Sequence, residues 1–371
     1  MSKKILFVAN TMRHLYLCHL PYFKYFKDHK YEVHTASDND ALLNNVDKSY
    51  KLSIKRNPYS FHNINAVFEL KKILLRENYD IIHVHTPMGS VVARIAAKLA
   101  GLRDTKIVYT AHGFHFFRGC PKINYLLYYP IEKWLSRSTD LIITINEEDY
   151  NFARKHFKTD IRYVPGVGFN DKKFNSCLNA REKKKFRDFI GLNMNDYVIS
   201  YVAEMCKRKR HENLLKLISK MNITNEKFLF IGDGSRTKKI KKLINKYNLN
   251  NIVKIIDFND NISNYLDISD LIISVSQQEG LPLNIMEAMY KEKPIVVTDC
   301  RGNRDLIKNE INGLVVELNN KEEFIMAIER LKNDSNYAIK LGSKNKNIVN
   351  KYSITAIMIK MDKIYRELME K

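Results

Sequence analysis

The sequence predicts an α/β protein built from two doubly wound domains, each a parallel sheet covered on both faces by helices. Two observations carry that expectation. A chain of 371 residues is too long for one ordinary core and suggests two domains of about 150–200 residues. Short, near-continuous apolar runs also alternate with stretches of helical spacing along its whole length, as parallel strands joined by helical crossovers do.

In the first half the apolar runs place strands at 4–9, 31–36, 80–85, 106–110, 140–145 and 161–164; in the second half they fall at 197–203, 227–232, 252–256, 270–275, 294–298 and 314–317. Residues 63–77, 88–100, 211–221, 236–247 and 283–291 have helical spacing. The polar, basic stretch 170–195 is the best linker candidate. A last helical run, 353–370, lies past the final strand and is expected to pack back onto the first domain. The domains expected are 1–168, 169–352 and a returning helix at 353–371. Two such domains facing each other would enclose a deep cleft, and doubly wound sheets bind ligands beyond the carboxyl ends of their strands.

Composition narrows the class. An apolar content of 45% with 28% charged residues is that of a soluble globular protein. No stretch approaches the ~18 apolar residues needed to span a membrane. The apolar run after the basic head of Met1–Asn10 is too short for a signal peptide. Five widely spaced cysteines, Cys18, Cys120, Cys177, Cys206 and Cys300, form no Cys-x-x-Cys pair, which fits reduced thiols in a cytoplasm. The net charge of +21 is shared by both halves and favours nucleotides, polyanions or an anionic membrane face. A Lys- and Asn-rich composition accounts for it equally well.

The chemistry concentrates at 279–287, Glu279-Gly280-Leu281-Pro282-Leu283-Asn284-Ile285-Met286-Glu287. Pro282 suits a helix start, where a missing amide proton is harmless, and the unpaired amides of a first turn make a site for an anion such as a diphosphate. Glu279 before the helix and Glu287 inside it could flank that diphosphate. The spacing alone is equally compatible with one surface and one solvated helix carboxylate. Lys209 lies in a basic loop after the strand 197–203, and His112 follows the strand 106–110. Ile231-Gly232-Asp233-Gly234 closes a strand with a glycine turn. Asp38-Asn39-Asp40 has the spacing of a metal-binding pair, and His83-Val84-His85 sets two imidazoles on one strand face, yet no third ligand is apparent. Both are read as structural, with no metal expected. Residues 114–137 interleave aromatic and basic groups, which fits a membrane surface or a helix packed by its aromatic face.

Taken together, Glu279 to Glu287 with Tyr79–Gly89, Tyr109–Phe116, Tyr128–Leu135, Val164–Gly168 and Arg301–Asp305 resemble the retaining GT-B glycosyltransferases of family 4. The likeness is to the branch that builds capsular polysaccharide and exopolysaccharide, and it runs along nearly the whole chain. It implies that Glu279 touches donor-sugar hydroxyls, that Glu287 holds the ribose, and that the backbone of Gly280, Leu281, Pro282 and Leu283 cradles the diphosphate. It further implies that Lys209 offsets charge on the leaving nucleotide and that His112 reaches the donor sugar. Where the family often has Gly-Arg this chain has Ala203-Glu204, so Arg208 or Arg210 is expected to replace a phosphate cation. Gly232 and the Asp257-Phe258-Asn259 segment would lie along the donor, with Phe258 near the base. In place of the family's Gly-Gly loop stands Asn10–Pro21, with Arg13, His14 and His19 as acceptor-side candidates.

The resemblance thus implies transfer of a sugar, such as an N-acetylated amino sugar, from a UDP-sugar donor to a polyprenyl-diphosphate-linked glycan. The setting expected is the inner face of a bacterial cell membrane, with a nucleotide-sugar and a lipid-linked acceptor as partners and no metal cofactor. A nucleotide-sugar epimerase or hydrolase on the same architecture is the alternative. A basic nucleic-acid-binding protein is a third reading, although no reading motif is evident.

Overall fold

The computed structural model describes residues 3–257 and 261–370. The chain divides into two compact units, Met1–Gly168 with Ile354–Lys371, and Phe169–Ser353. The first holds β1 (Lys4–Val8), α1 (Met12–Asp28), β2 (Glu32–Ser37), β3 (Lys48–Lys51), α2 (His62–Glu77), β4 (Ile81–His85), α3 (Pro87–Ala100), β5 (Lys106–Ala111), α4 (Lys122–Ser136), β6 (Leu141–Thr144), α5 (Glu147–His156) and β7 (Asp160–Tyr163). Its seven strands are parallel, in the order β3-β2-β1-β4-β5-β6-β7. Ile5 of β1 lies between Val33 of β2 and Ile81 of β4. The inner strands are apolar on both sides because helices cover both faces, and Ile5, Leu6, Phe7 and Val8 are all fully buried.

The second unit holds α6 (Ala180–Phe189), β8 (Tyr197–Val202), α7 (His211–Ile218), β9 (Glu226–Ile231), α8 (Thr237–Lys246), β10 (Val253–Ile256), α9 (Ile262–Ile268), β11 (Leu271–Ser274), α10 (Leu283–Tyr290), β12 (Ile295–Thr298), α11 (Arg301–Leu306), β13 (Leu314–Val316), α12 (Lys321–Asn333), α13 (Ser335–Ser343) and α14 (Asn345–Val349). Its six strands are also parallel, in the order β10-β9-β8-β11-β12-β13. Finally α15 (Ile354–Met369) belongs to the first unit. It buries Ile357, Met361, Tyr365 and Leu368, one stripe of a helix. The Tyr25 hydroxyl of α1 donates to Asp362 at 2.7 Å.

Both sheets are doubly wound, and the direction of winding reverses between β1 and β4 in one and between β8 and β11 in the other. Such reversals splay the connections apart at the strands' carboxyl ends and leave a crevice there.

Three local expectations need correction. Residues 10–21 are no loop, since Met12–Asp28 forms a helix that buries Met12, Leu15, His19, Tyr22, Phe23 and Phe26. Pro21 lies within that helix, on its exposed side. The stretch 170–195 is no linker: α6 starts with a capping box between Asn179 and Glu182. The Arg187 guanidinium of that helix donates to the carbonyls of Asp196 and Ile268. A strand at 48–51 was not anticipated, because Lys48-Ser-Tyr-Lys51 carries no apolar run and forms an edge.

Candidate active site

In the second unit four connections meet beyond the carboxyl ends of β8, β9, β11 and β12. After β8 the chain passes through Ala203 and Glu204 into a 3₁₀ turn at Lys207–Lys209, and Arg210 follows in the left-handed region. The turn is pinned from two sides. The Tyr201 hydroxyl donates to the Lys209 carbonyl at 2.8 Å and lies 2.9 Å from the Ser276 hydroxyl, while the Gln277 amide donates to the Arg208 carbonyl. Lys209 is thereby held buried, and its ammonium pairs with the buried carboxylate of Glu279, which follows β11. The second Glu279 oxygen lies 3.4 Å from Arg208. Burial alone would raise the Glu279 carboxyl, but the charges of Lys209 and then Arg208 hold it below the usual carboxylate value, so it is ionised at neutral pH.

The segment from Gly280 to Leu283 leads into α10, with Pro282 as its N-cap rather than its first helical residue. Asn284 ties that first turn to the end of β8 by donating to the Val202 carbonyl at 2.8 Å. Arg301 donates to the Glu279 carbonyl at 3.1 Å. A Cβ on Gly302 would lie 2.5 Å from the Gly280 carbonyl oxygen, so only glycine lets α11 approach this closely. Gly232, at φ +138, has the same role under β8, since a Cβ there would lie 2.4 Å from the Ala203 oxygen. Glu287 is half-buried on α10, and burial pushes its carboxyl up to about 8, against a small opposing effect of Lys173. Lys209, Glu279, the first-turn amides of α10 and Gly232 thus gather at one sheet edge. Arg210 is not among them; it donates to the Leu318 carbonyl and Asn319, which leaves Arg208 as the additional cation. Phe258 lies outside the described residues.

In the first unit a second constellation occupies the equivalent edge. His85 ends β4, His112 follows β5, and His14 and His19 stand on α1 after β1. One ring nitrogen from each lies within 4.8 Å of the other three. This corrects the view that His85 has no third ligand beside it. His83, by contrast, is satisfied at both nitrogens, by Thr110 and Tyr365, each at 2.8 Å. Burial lowers all four rings of the cluster, His14 to about 4 with Arg56 adding to the effect and the others further, so they are neutral. Arg13 is exposed on α1, and Asp38 accepts the Met12 amide at 2.9 Å at the start of that helix.

Residues 182–348 match the family model for glycosyl transferases of group 1, and residues 4–146 match the glycosyl transferase 4-like model. EpsD of Bacillus subtilis (strain 168), assigned by name to the glycosyltransferases, is 35% identical over 374 residues, covering 100% of this chain and 98% of its own. The chain belongs to the family 4-like glycosyltransferases.

An Escherichia coli relative of this glycosyltransferase, named UDP-Gal:α-D-GlcNAc-diphosphoundecaprenol α-1,3-galactosyltransferase, is 29% identical and covers 89% of this chain and 86% of its own. Among solved structures, Anabaena HepE in complex with UDP and glucose superposes with a TM-score of 0.81 at 18% identity, over 98% of this chain and 100% of its own. Sucrose-phosphate synthase from Thermosynechococcus elongatus gives 0.81 at 17% identity, over 99% of both chains. The fold they share is GT-B. Sequence reasoning missed Tyr201, Ser276 and Asn284, whose hydrogen bonds hold the Lys209 turn and the start of α10. The only signal for Tyr201 and Ser276 was their position near the ends of β8 and β11, and for Asn284 its place in the first turn of α10.

Proposed function

We propose that this glycosyltransferase moves a hexose or an N-acetylated amino sugar from a UDP-sugar to a polyprenyl-diphosphate-linked glycan, with retention at the anomeric carbon, in capsular or extracellular polysaccharide synthesis. The observation that carries the reading is the buried Lys209–Glu279 pair beside the first turn of α10 at the β8/β11 reversal. The name of the E. coli relative and the UDP and glucose bound to HepE support the classes of acceptor and donor.

In this mechanism the bond from the anomeric carbon to the diphosphate oxygen breaks as the acceptor oxygen attacks from the same face. The departing phosphate oxygen takes the acceptor's proton. Lys209, Arg208 and the α10 amides stabilise the charge that grows on the diphosphate. Glu279, kept ionised by those cations, accepts from donor-sugar hydroxyls and faces the positive charge developing on the ring. Glu287, protonated at neutral pH, can both donate to and accept from ribose hydroxyls. His112 keeps the sugar-positioning role that the family resemblance gives it, and Arg13 lies on the acceptor side. We assign the transfer step no metal.

No helix among the described residues is long and apolar enough to cross a membrane. The α4 helix nevertheless exposes Ile123, Leu126, Ile131 and Trp134, with Lys98 over the Trp134 ring and Lys133 over that of Tyr129. Its other face packs Tyr128 and Tyr129 against the core. We infer peripheral binding to an anionic membrane through this face.

Radiolabelled UDP-sugars offered with polyprenyl-diphosphate-linked acceptors test the assignment. Label should move to lipid only when both substrates are present. Donor consumed at the same rate without acceptor would instead establish the hydrolase or epimerase reading.

A further inference from the structure

Hydrogen bonding accounts for only part of the geometry of the four-histidine cluster in the first unit. Three short contacts run through it: His19 Nε2 to His14 Nε2 at 3.4 Å, His14 Nε2 to His112 Nε2 at 3.3 Å, and His112 Nε2 to His85 Nδ1 at 3.2 Å. The same His14 and His112 nitrogens each serve two of these contacts. An imidazole nitrogen offers a single in-plane site, either an N–H or a lone pair. At most two of the three contacts can therefore be linear hydrogen bonds: with donor and acceptor nitrogens alternating along the chain, the His14–His112 contact is left to share an N–H and a lone pair that the outer contacts already use. The rest of the cluster offers no relief, since His19 Nδ1 and His85 Nε2 are buried without hydrogen-bond partners among the described residues.

The spacing fits a different object. A tetrahedral zinc ion with Zn–N bonds of about 2.0–2.1 Å holds its ligand nitrogens about 3.3–3.4 Å apart, the edge of the tetrahedron. The three contacts match that edge, and the remaining separations stay within 4.8 Å. The ligands arrive from three elements of one rigid sheet edge: the end of β4, the residue after β5, and two successive turns of α1. Phe7 backs the cluster, its ring parallel to that of His85 at 5.9 Å. We propose that His14, His19, His85 and His112 form a binding site for a divalent transition metal of the zinc class, which locks α1 onto the carboxyl ends of β4 and β5.

The donor set favours zinc-class ions over magnesium or calcium, which seek oxygen ligands. Four neutral ligands leave the ion's double charge uncompensated, and Arg56 near His14 adds to it. The outward nitrogens of His19 and His85 also lack the partners that usually strengthen such ligands. The affinity is therefore expected below that of a thiolate site. The site shares His112 with the donor contact proposed above but uses none of the second unit's Lys209, Arg208, Glu279 or Glu287, so metal binding and sugar transfer are read out by separate measurements. Either can fail without the other.

The test is titration of the full chain, stripped with a chelator, with Co²⁺ followed by Zn²⁺. One equivalent of Co²⁺ should produce the intense visible bands of a tetrahedral complex, and Zn²⁺ should abolish them while raising the melting temperature. His85→Phe keeps the stack on Phe7 and should weaken binding by about 100-fold or more, beyond what loss of an outer partner does. His14→Gln, at a half-buried position, gives the same comparison if the first variant does not fold. Wild-type protein that gives no tetrahedral Co²⁺ spectrum at one equivalent, or a folded ligand variant that binds as tightly as wild type, overturns the proposal.

Discussion

Lys209 and Glu279 are both buried and bonded to each other, which allows their structural and chemical roles to be separated by substitution. Removing one member of a buried ion pair strands the other and costs ~3–5 kcal/mol, whereas replacing both with apolar residues of similar size is often close to neutral. Lys209→Met should fall near the lower figure, about 3 kcal/mol, because Arg208 remains 3.4 Å from Glu279. Glu279→Leu should approach ~5 kcal/mol, since the Lys209 side chain is only 8% exposed and cannot rehydrate as Arg208 can. The double variant should cost no more than ~1–2 kcal/mol and be more stable than either single one. Urea unfolding followed by far-UV circular dichroism measures this. The single tryptophan, Trp134, belongs to the other unit and serves as an internal reference by fluorescence. Sugar transfer should behave oppositely, falling ~10²–10³-fold in every variant that lacks the Lys209 cation, with no recovery in the double. A double variant that regained transfer together with stability would reduce the pair to a structural feature and remove the basis of the proposed mechanism.

Three further outcomes follow from the same geometry. Because the Glu287 carboxyl is raised from 4.5 to about 8, the folded state holds a proton that the unfolded chain has released. Its stabilising contribution is complete below about 4.5 and is lost as pH rises through about 8. Because the group is half-buried, solvent screening narrows the pH window over which that contribution is lost, and Glu287→Gln should flatten that part of the pH–stability curve in urea melts. Gly232→Ala forces a Cβ to within 2.4 Å of the Ala203 oxygen at φ +138; the expected loss is ~1–3 kcal/mol, with a raised KM for the donor as the β8 loop shifts. Leu126→Glu on the exposed face of α4 should weaken co-sedimentation with vesicles rich in phosphatidylglycerol and leave binding to neutral vesicles, already weak, little changed.

Strand positions were legible because buried parallel strands must be continuously apolar, and Lys-Ile-Leu-Phe-Val at β1 or Leu-Ile-Ile-Ser at β11 leaves little choice. The edge strand β3 escaped because an edge tolerates lysine on both sides. The helix α1 escaped for a different reason. Its buried positions 12, 15, 19, 22, 23 and 26 have helical spacing, but the expectation of a loop at 10–21 rests on the comparison with the family's glycine loop and not on that period. Chain position alone did not disclose what meets what. Lys209 and Glu279 stand 70 residues apart and come together because β8 and β11 are neighbours in the sheet, with β9 and β10 placed on the far side of β8.

The same logic accounts for the histidines. His14 and His112 are 98 residues apart, and His-x-His on a strand is unremarkable until β1, β4 and β5 lie side by side. Each unit therefore collects its polar side chains at its own reversal of winding, where the connections after neighbouring strands diverge. One edge collects opposite charges, the buried carboxylate and ammonium of the Glu279–Lys209 pair with the Arg208 guanidinium beside them, and is suited to an anionic donor. The other collects neutral nitrogen lone pairs, a set that no diphosphate needs and that a soft cation would satisfy. Two sheets of the same winding thus offer different chemistry at the same topological position, because that position fixes where side chains converge and leaves their identity open.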